Sequence, residues 1–229
     1  MTEADDTGGQ GLLTSDLGAR LRSAREAHGV SLREMARRVE VSPSFMSQIE
    51  LGRAQPSIGT LFTIVTELGL SLDELMSSTT SPAPESAAVT AITRQRAAGV
   101  PGLQHPDERP ELYTRGVRWE RLTPYEDRFV EFLRVTYEPG TESCPADDLM
   151  THQGWEYAHV LGGRLNVQVA FERTTVAAGD SFNFDSTVPH RLSNPYDEDC
   201  VAVWFITGRS HDLPSHQATP SRTWAPGHH

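Results

Sequence analysis

Residues 31–53, SLREMARRVEVSPSFMSQIELGR, constrain this chain more than any other stretch. They read as two short helices joined by a tight turn. Ser31 is placed to cap the first helix, and Glu34 three residues on completes a capping box. Leu32, Met35, Ala36 and Val39 recur at i, i+3, i+4 and i+7, which gives that helix one apolar face. Ser42 caps the second helix. Pro43 takes its first position, where a missing N–H costs nothing. Met46 and Ile49 point to a core, whereas Ser44, Ser47 and Gln48 lie on the opposite face. Gly52 follows as a left-handed cap.

The flanks extend the pattern. A helix carrying Leu17, Leu21 and Ala24 precedes it and ends at Gly29. Ser57 opens another helix with Leu61, Ile64, Val65 and Leu68 inside, and Ser71 with Glu74 opens a fifth through a second capping box. This unit, residues 15–77, resembles the five-helix, lambda-repressor-like DNA-binding domain of the XRE-type helix-turn-helix regulators. The resemblance implies that the second helix of the motif enters the major groove. Pro43, Ser44, Ser47 and Gln48 would then lie nearest the bases, with Gln48 able to read adenine through two hydrogen bonds. Arg33, Arg37 and Arg53 are the candidates for phosphate contacts. One position departs from the family: the turn usually holds glycine where this chain has Glu40, and a non-glycine at positive φ costs on the order of 1 kcal/mol.

Charge agrees with selective rather than indiscriminate binding of nucleic acid. The chain carries a net −11, yet residues 16–76 hold seven arginines against eight acids, a balance of −1. The DNA-reading candidate is the least acidic part. No run of apolar residues is long enough to span a membrane. The first 14 residues are acidic and glycine-containing, unlike a signal peptide, and are expected to be a disordered lead. Cys144 and Cys200 lack metal-binding spacing, so a reduced, cytoplasmic setting is the plain reading, with a disulfide between them as the alternative. Residues 78–110 begin with a Ser/Thr/Pro/Ala-rich run, a linker by composition. It is expected to separate the helical unit from the rest of the chain, so that changes beyond it leave DNA binding intact.

Beyond residue 110 the period changes from helical to alternating. GVRWERL, RFVEFLRVTYEPG, EYAHVLGGRLNVQVAF, DSFNF and CVAVWFIT read as strands separated by Pro, Gly, Asn and Asp. So many strands without intervening helices imply a closed barrel or jelly roll. Most of Trp155, Tyr157, Phe182, Phe184 and Trp204 are expected in its core. THQGWEYAHVLGGRL (151–165) and AAGDSFNFDSTVPHRLSN (177–194) resemble the two sequence motifs of the cupin family, a double-stranded β-helix barrel, so residues 111–209 are assigned to such a domain and 210–229 to a flexible tail. In the first motif the second histidine falls on His152, the glutamate on Glu156 and the last glycine on Gly163. Met150 stands where the first histidine is usual. Gly179, His190 and Asn194 meet the second motif. His159, three residues past Glu156, should face the opposite side of its strand.

His152, Glu156 and His190 thus hold three of the four family ligand positions. Two imidazoles and a carboxylate suit one divalent transition metal, Fe, Ni, Mn or Zn, with coordination sites left open. The same three groups could instead hydrogen-bond a small-molecule effector, and both readings stand here. Together the resemblances imply a transcriptional regulator with an effector-sensing cupin, working as a homodimer on a two-fold double-stranded DNA operator, without catalytic residues and away from membranes. A second resemblance, to the mononuclear-iron epoxidase that forms fosfomycin, rests on the same layout and on His152, Glu156 and His190. It would make the barrel catalytic and the helical unit a cover for the active site.

Overall fold

The computed structural model describes residues 7–70, 75–76, 100–125, 127 and 129–208, with side chains from residue 17 onward. Four helices come first: α1 (Thr7–Ala27), α2 (Leu32–Arg38), α3 (Pro43–Glu50) and α4 (Ile58–Glu67). The caps are where the side-chain chemistry places them. Ser31, Ser42 and Ser57 each accept a bond from the backbone N–H three residues on, at Glu34, Phe45 and Thr60. The capping box at Ser31 is half made, because the Glu34 carboxylate turns instead to Arg37 and Arg38. Glu40 does adopt the left-handed turn conformation, at φ 57°, and Gly52 follows α3 at φ 66°.

Two expectations change in this half. Four helices, not five, are seen among the described residues. The fifth was to open at residues 71–74, which lie outside them, although Leu75 and Met76 are helical and buried. The lead is shorter than residues 1–14, since α1 already begins at Thr7. Packing of Leu17 and Leu21 nucleates that helix, and extending a nucleated helix costs far less than starting one.

Among the described residues ten strands follow: β1 (Glu111–Thr114), β2 (Val117–Arg121), β3 (Val130–Tyr137), β4 (Thr141–Glu142), β5 (Trp155–Gly162), β6 (Arg164–Val169), β7 (Glu172–Ala177), β8 (Ser181–Asp185), β9 (His190–Asn194) and β10 (Cys200–Thr207). They form an antiparallel six-stranded sheet, β1-β2-β3-β10-β5-β8, facing a four-stranded one, β4-β9-β6-β7. The long segment EYAHVLGGRLNVQVAF is two strands in different sheets. It breaks at Gly163, where φ is 73° and a Cβ would stand 2.1 Å from the Asp199 carbonyl oxygen. Cys144 and Cys200 are both buried and free, so the disulfide alternative falls. Among the described residues no helix is long and apolar enough to cross a membrane.

The two domains share one apolar core. α4 lies against the barrel: Gly59 N–H donates to the Ser143 carbonyl at 3.0 Å, and the Thr114 hydroxyl donates to the Pro56 carbonyl at 2.8 Å. The approach is close: a Cβ on Gly59 would stand 3.2 Å from the Met150 Cβ, so the neighbour would have to give by a few tenths of an ångström. The expected separation by a linker is therefore not seen: the barrel packs directly on the helical domain. α4 is apolar over too wide an arc for one neighbour. Leu61, Ile64, Val65 and Leu68 serve the helical core, leaving Ile58 and Phe62 for the barrel.

Candidate functional site

The barrel places three polar side chains together at the end that meets α4. Glu156 lies on β5, where strand alternation turns it inward with Ala158 and Val160 and leaves His159 exposed, bonded to the Ser181 hydroxyl. His190 opens β9 in the facing sheet. His152 precedes β5 in a loop fixed by its own N–H on the Ser186 carbonyl at 3.0 Å. All three are buried, and one ligand atom from each lies within 4.8 Å of the others.

Hydrogen bonds fix how these groups face each other. Nδ1 of His152 lies 3.1 Å from the Gln153 carbonyl, and Nδ1 of His190 lies 2.9 Å from the Val188 carbonyl. A carbonyl only accepts, so each Nδ1 carries the proton, and in a neutral imidazole Nε2 is left as a lone pair. Those two Nε2 atoms approach Glu156 Oε1 at 2.8 and 3.4 Å. Trp204 Nε1–H donates to Oε2 at 2.7 Å and the Ser186 hydroxyl to Oε1 at 3.2 Å, which pins the carboxylate. Burial works to raise the Glu156 carboxyl; when the Nε2 atoms of His152 and His190 carry protons, their hydrogen bonds and charge more than offset this and hold it below the usual carboxylate range.

Three converging acceptors, the imidazoles oriented from behind by backbone carbonyls and the carboxylate by Trp204 and Ser186, form a donor set that can bind a metal ion. Protons on the two Nε2 atoms would satisfy the same geometry as a buried ion triad. Met150, at the usual first-histidine position, is buried, pairs through its backbone with His190 and is among the residues that line the cavity.

What remains open is a cavity of about 20 Å³, room for about one water-sized group. Apolar side chains from both sheets surround it, among them Trp119, Val135, Leu192 and Ile206, with Tyr137, whose phenol burial pushes well above its ordinary value. α4 supplies the cover. Ile58 and Phe62 line the cavity, and the Phe62 ring stacks on His152 at 4.7 Å between centroids. Sequence reasoning missed this contact, because periodicity assigns Phe62 a buried face without saying against what. It also missed Trp204 as the partner of Glu156. Phe184 and Trp204 are core residues as expected and Phe182 is partly buried, whereas Trp155 and Tyr157 point outward from β5, a correction that strand alternation from Glu156 would have supplied.

At the other end of the helical domain the DNA-facing candidates lie at the surface. Pro43 and Ser44 are exposed at the start of α3, and Ser47 and Gln48 are half-buried on its outer face. Arg33, Arg37 and Arg53 are exposed. Met46, Ile49 and Glu50 are buried on the inner face. Glu50, which sequence reasoning did not single out, takes two bonds from the Arg25 guanidinium, at 2.6 and 2.9 Å.

Comparison with known proteins agrees with both halves. Residues 16–76 match the helix-turn-helix domain family and residues 133–206 the cupin domain family. The HTH-type transcriptional regulator PuuR of Escherichia coli is 26% identical over 178 residues, 77% of this chain and 86% of that protein. SutR of the same organism, also an HTH-type transcriptional regulator, is 25% identical over 78% of this chain and 86% of its own length. Among solved structures, an HTH_3 family transcriptional regulator from Vibrio cholerae superposes with a TM-score of 0.57 at 22% identity, over 86% of this chain and 98% of that one. The chain joins an XRE-like helix-turn-helix domain to a cupin domain and is homologous to the HTH-type transcriptional regulators.

Proposed function

We propose that this chain is a sequence-specific DNA-binding transcriptional regulator whose barrel senses a small-molecule effector and reports it through α4. The observation that carries the reading is the stack of Phe62, on the helical domain, against His152, in the barrel site. The cavity takes no more than a water-sized group while Phe62 is in place. Any larger occupant has to move that ring, an ion that draws in the His152 imidazole shifts the surface on which the ring rests, and α4 packs on α2 of the DNA-binding motif. The two states of the barrel therefore differ in where α4 rests, which is what an effector needs in order to bias DNA affinity.

In this reading α3 lies in the major groove, with Pro43, Ser44, Ser47 and Gln48 toward the bases and Arg33, Arg37 and Arg53 toward phosphates. A homodimer places two copies of α3 on half-sites roughly 10 base pairs apart. His152, Glu156 and His190 hold one divalent ion of the Fe, Mn, Ni or Zn group, which would supply an open coordination position to an effector. Coverage of the barrel by the helical domain suits the oxygenase alternative as well; the HTH-type relatives support the regulator.

Gel-shift titrations on an operator selected from random DNA test this. Gln48→Ala should lose about 1–3 kcal/mol at one base position and relax discrimination there. Chelator-treated and ion-loaded parent should differ in operator affinity, and Phe62→Ala should bind the operator equally in both states. Failure to select any operator removes the regulator. Equal affinity of the parent with and without ion, for each ion of the group, removes the coupling through α4 to the ion-bound site.

A further inference from the structure

The outer face of the four-stranded sheet is hollowed. Register sets its outward side chains in two rows across β7, β6 and β9: Thr175, Asn166 and Ser193 in one, Arg173, Gln168 and Arg191 in the other. Neighbouring strands lie about 4.8 Å apart, and residues two along a strand about 7 Å, so the rows floor an area of roughly 10 by 7 Å. With Ala146 of the β4–β5 loop as a side wall, they border a groove of about 350 Å³. An antiparallel sheet facing water needs polar side chains on that face. It does not need them gathered in a hollow, nor held by bonds that fix which atom of each is left open.

Those bonds define what the groove can hold. Asn166 Oδ1 accepts from the Thr175 and Tyr196 hydroxyls at 2.9 and 2.8 Å, which leaves its amide N–H groups as the open end. Gln168 is set the opposite way: its Nε2 donates to the Ala170 carbonyl at 3.1 Å, so Oε1 is open to accept. The Ser193 hydroxyl oxygen accepts from Arg191 Nη1 at 3.2 Å and keeps its own proton to donate. Arg191 also donates to the Cys144 carbonyl at 3.0 Å and to the Glu142 carboxylate, which meets its charge. Arg173 has neither an acid nor an acceptor among the described residues. The groove therefore combines one unmatched positive charge with fixed donors and a fixed acceptor. A bare anion uses the charge and leaves the acceptor idle. A neutral polyol uses donors and acceptor and leaves the charge. A carboxylate bearing hydroxyl groups, each both donor and acceptor, uses all of them.

We propose that this groove binds a small hydroxylated carboxylic acid, with its carboxylate on the Arg173 guanidinium and its hydroxyls over Asn166, Gln168 and Ser193. An open chain of about six carbons spans such a floor. The site lies outside the barrel interior and does not rest on the regulator reading. It backs onto the metal-competent cluster, since β9 turns His190 inward and Arg191 outward, so its test uses chelator-treated protein.

Backbone amide shifts of the full chain, titrated with D-gluconate, test the inference. Sorbitol, with a primary alcohol in place of the carboxylate, and acetate, with the carboxylate alone, are the controls. Gluconate should saturate in the millimolar range and move amides of β6, β7 and β9. Each control should bind more weakly by about tenfold or more. Arg173→Gln should weaken gluconate by a similar factor and leave sorbitol unchanged. Arg173 is exposed on the edge strand β7, so this variant should keep the parent's spectrum outside the groove. Gln168→Leu should weaken gluconate several-fold and leave acetate unchanged, because it removes an acceptor and no charge. Acetate or sorbitol binding as well as gluconate overturns the proposal. So does undiminished gluconate binding in Arg173→Gln, a response at other strands or helices with β6, β7 and β9 unmoved, or a parent that gluconate does not saturate.

Discussion

Each domain buries a cluster of charged side chains, and the two obey opposite logic. Within the helical domain Arg25 donates Nε and Nη2 to the two oxygens of Glu50 and Nη1 to the Val30 carbonyl, so donors meet acceptors throughout. Its guanidinium is held above its ordinary pKa first by the hydrogen bond to Glu50, against the opposing effect of burial. Inside the barrel a carboxylate oxygen faces two imidazole nitrogens whose protons are committed elsewhere. The first cluster is complete within the chain and ties α1 to α3. The second turns a carboxylate oxygen and two imidazole nitrogens toward one point, where a cation or protons can join them. Burial, which both share, does not separate a structural pair from a site; complementarity does.

The largest expected effect breaks the complete cluster. Glu50→Ala leaves the Arg25 charge buried without its carboxylate, and should cost about 3–5 kcal/mol in urea unfolding. The double variant Arg25→Met, Glu50→Leu should recover most of that, since apolar groups of similar volume replace buried ion pairs at little cost. A single variant that loses less than about 1 kcal/mol would show the pair to be dispensable and blur the contrast with the barrel.

The next effect tests the incomplete cluster. Protein treated with chelator and then titrated with Mn(II), Fe(II), Ni(II) or Zn(II) should gain stability as the ion fills the site, about 2.7 kcal/mol at an ion concentration a hundredfold above Kd. Glu156→Gln should lose that gain while its ion-free stability changes by less than the loss in Glu50→Ala, because the amide removes an acceptor from a site crowded with them. Elemental analysis of both proteins accompanies the unfolding curves. An equal gain in Glu156→Gln would place the ion elsewhere.

The two clusters also differ in how far they can be read from sequence. His152, Glu156 and His190 are legible because they sit in motifs of fixed spacing around strands whose alternation shows which side chains point inward. The caps at Ser31, Ser42 and Ser57 are legible for a similar reason: capping is local, decided within three residues. Arg25 and Glu50 lie 25 residues apart on two helices, and nothing local pairs them. Glu50 sits in the inner-face register of α3 beside Met46 and Ile49, a position where a carboxylate has to find a partner, but the partner's identity is a matter of helix crossing. The cover over the barrel was hidden likewise. Ile58 and Phe62 widen the apolar arc of α4, which announces a second neighbour without naming the barrel. A Ser/Thr/Pro-rich connection, read as a spacer, says nothing about whether the domains on either side touch.

The smallest expected effect on stability comes from a third cluster, which repeats the chemistry of Arg25 and Glu50 at the surface. The Glu34 carboxylate accepts from Arg37 at 2.9 and 2.7 Å and from Arg38 at 2.9 Å. The hydrogen bond from Arg37, then that from Arg38, holds the Glu34 carboxyl down to about 2 from its ordinary 4.5. A lowered folded pKa means that the contribution is present above 4.5 and is lost as pH falls from there toward 2. Water screens this cluster, so Glu34→Gln should leave the unfolding midpoint at pH 7 nearly unmoved and should flatten the pH dependence only in that acid window. DNA binding should respond more. Arg37, proposed as a phosphate contact, is engaged by Glu34, and a phosphate competes with that carboxylate for the same guanidinium. The amide of the variant releases Arg37 and takes one negative charge from the DNA-facing surface. Operator affinity should rise several-fold at low salt, with a steeper dependence on salt and little change at high salt. Unchanged affinity across the salt range would remove Arg37 from the phosphate contacts. It would also leave the cluster as a surface ion pair that serves neither folding, as Arg25 and Glu50 do, nor binding, as proposed for the barrel site.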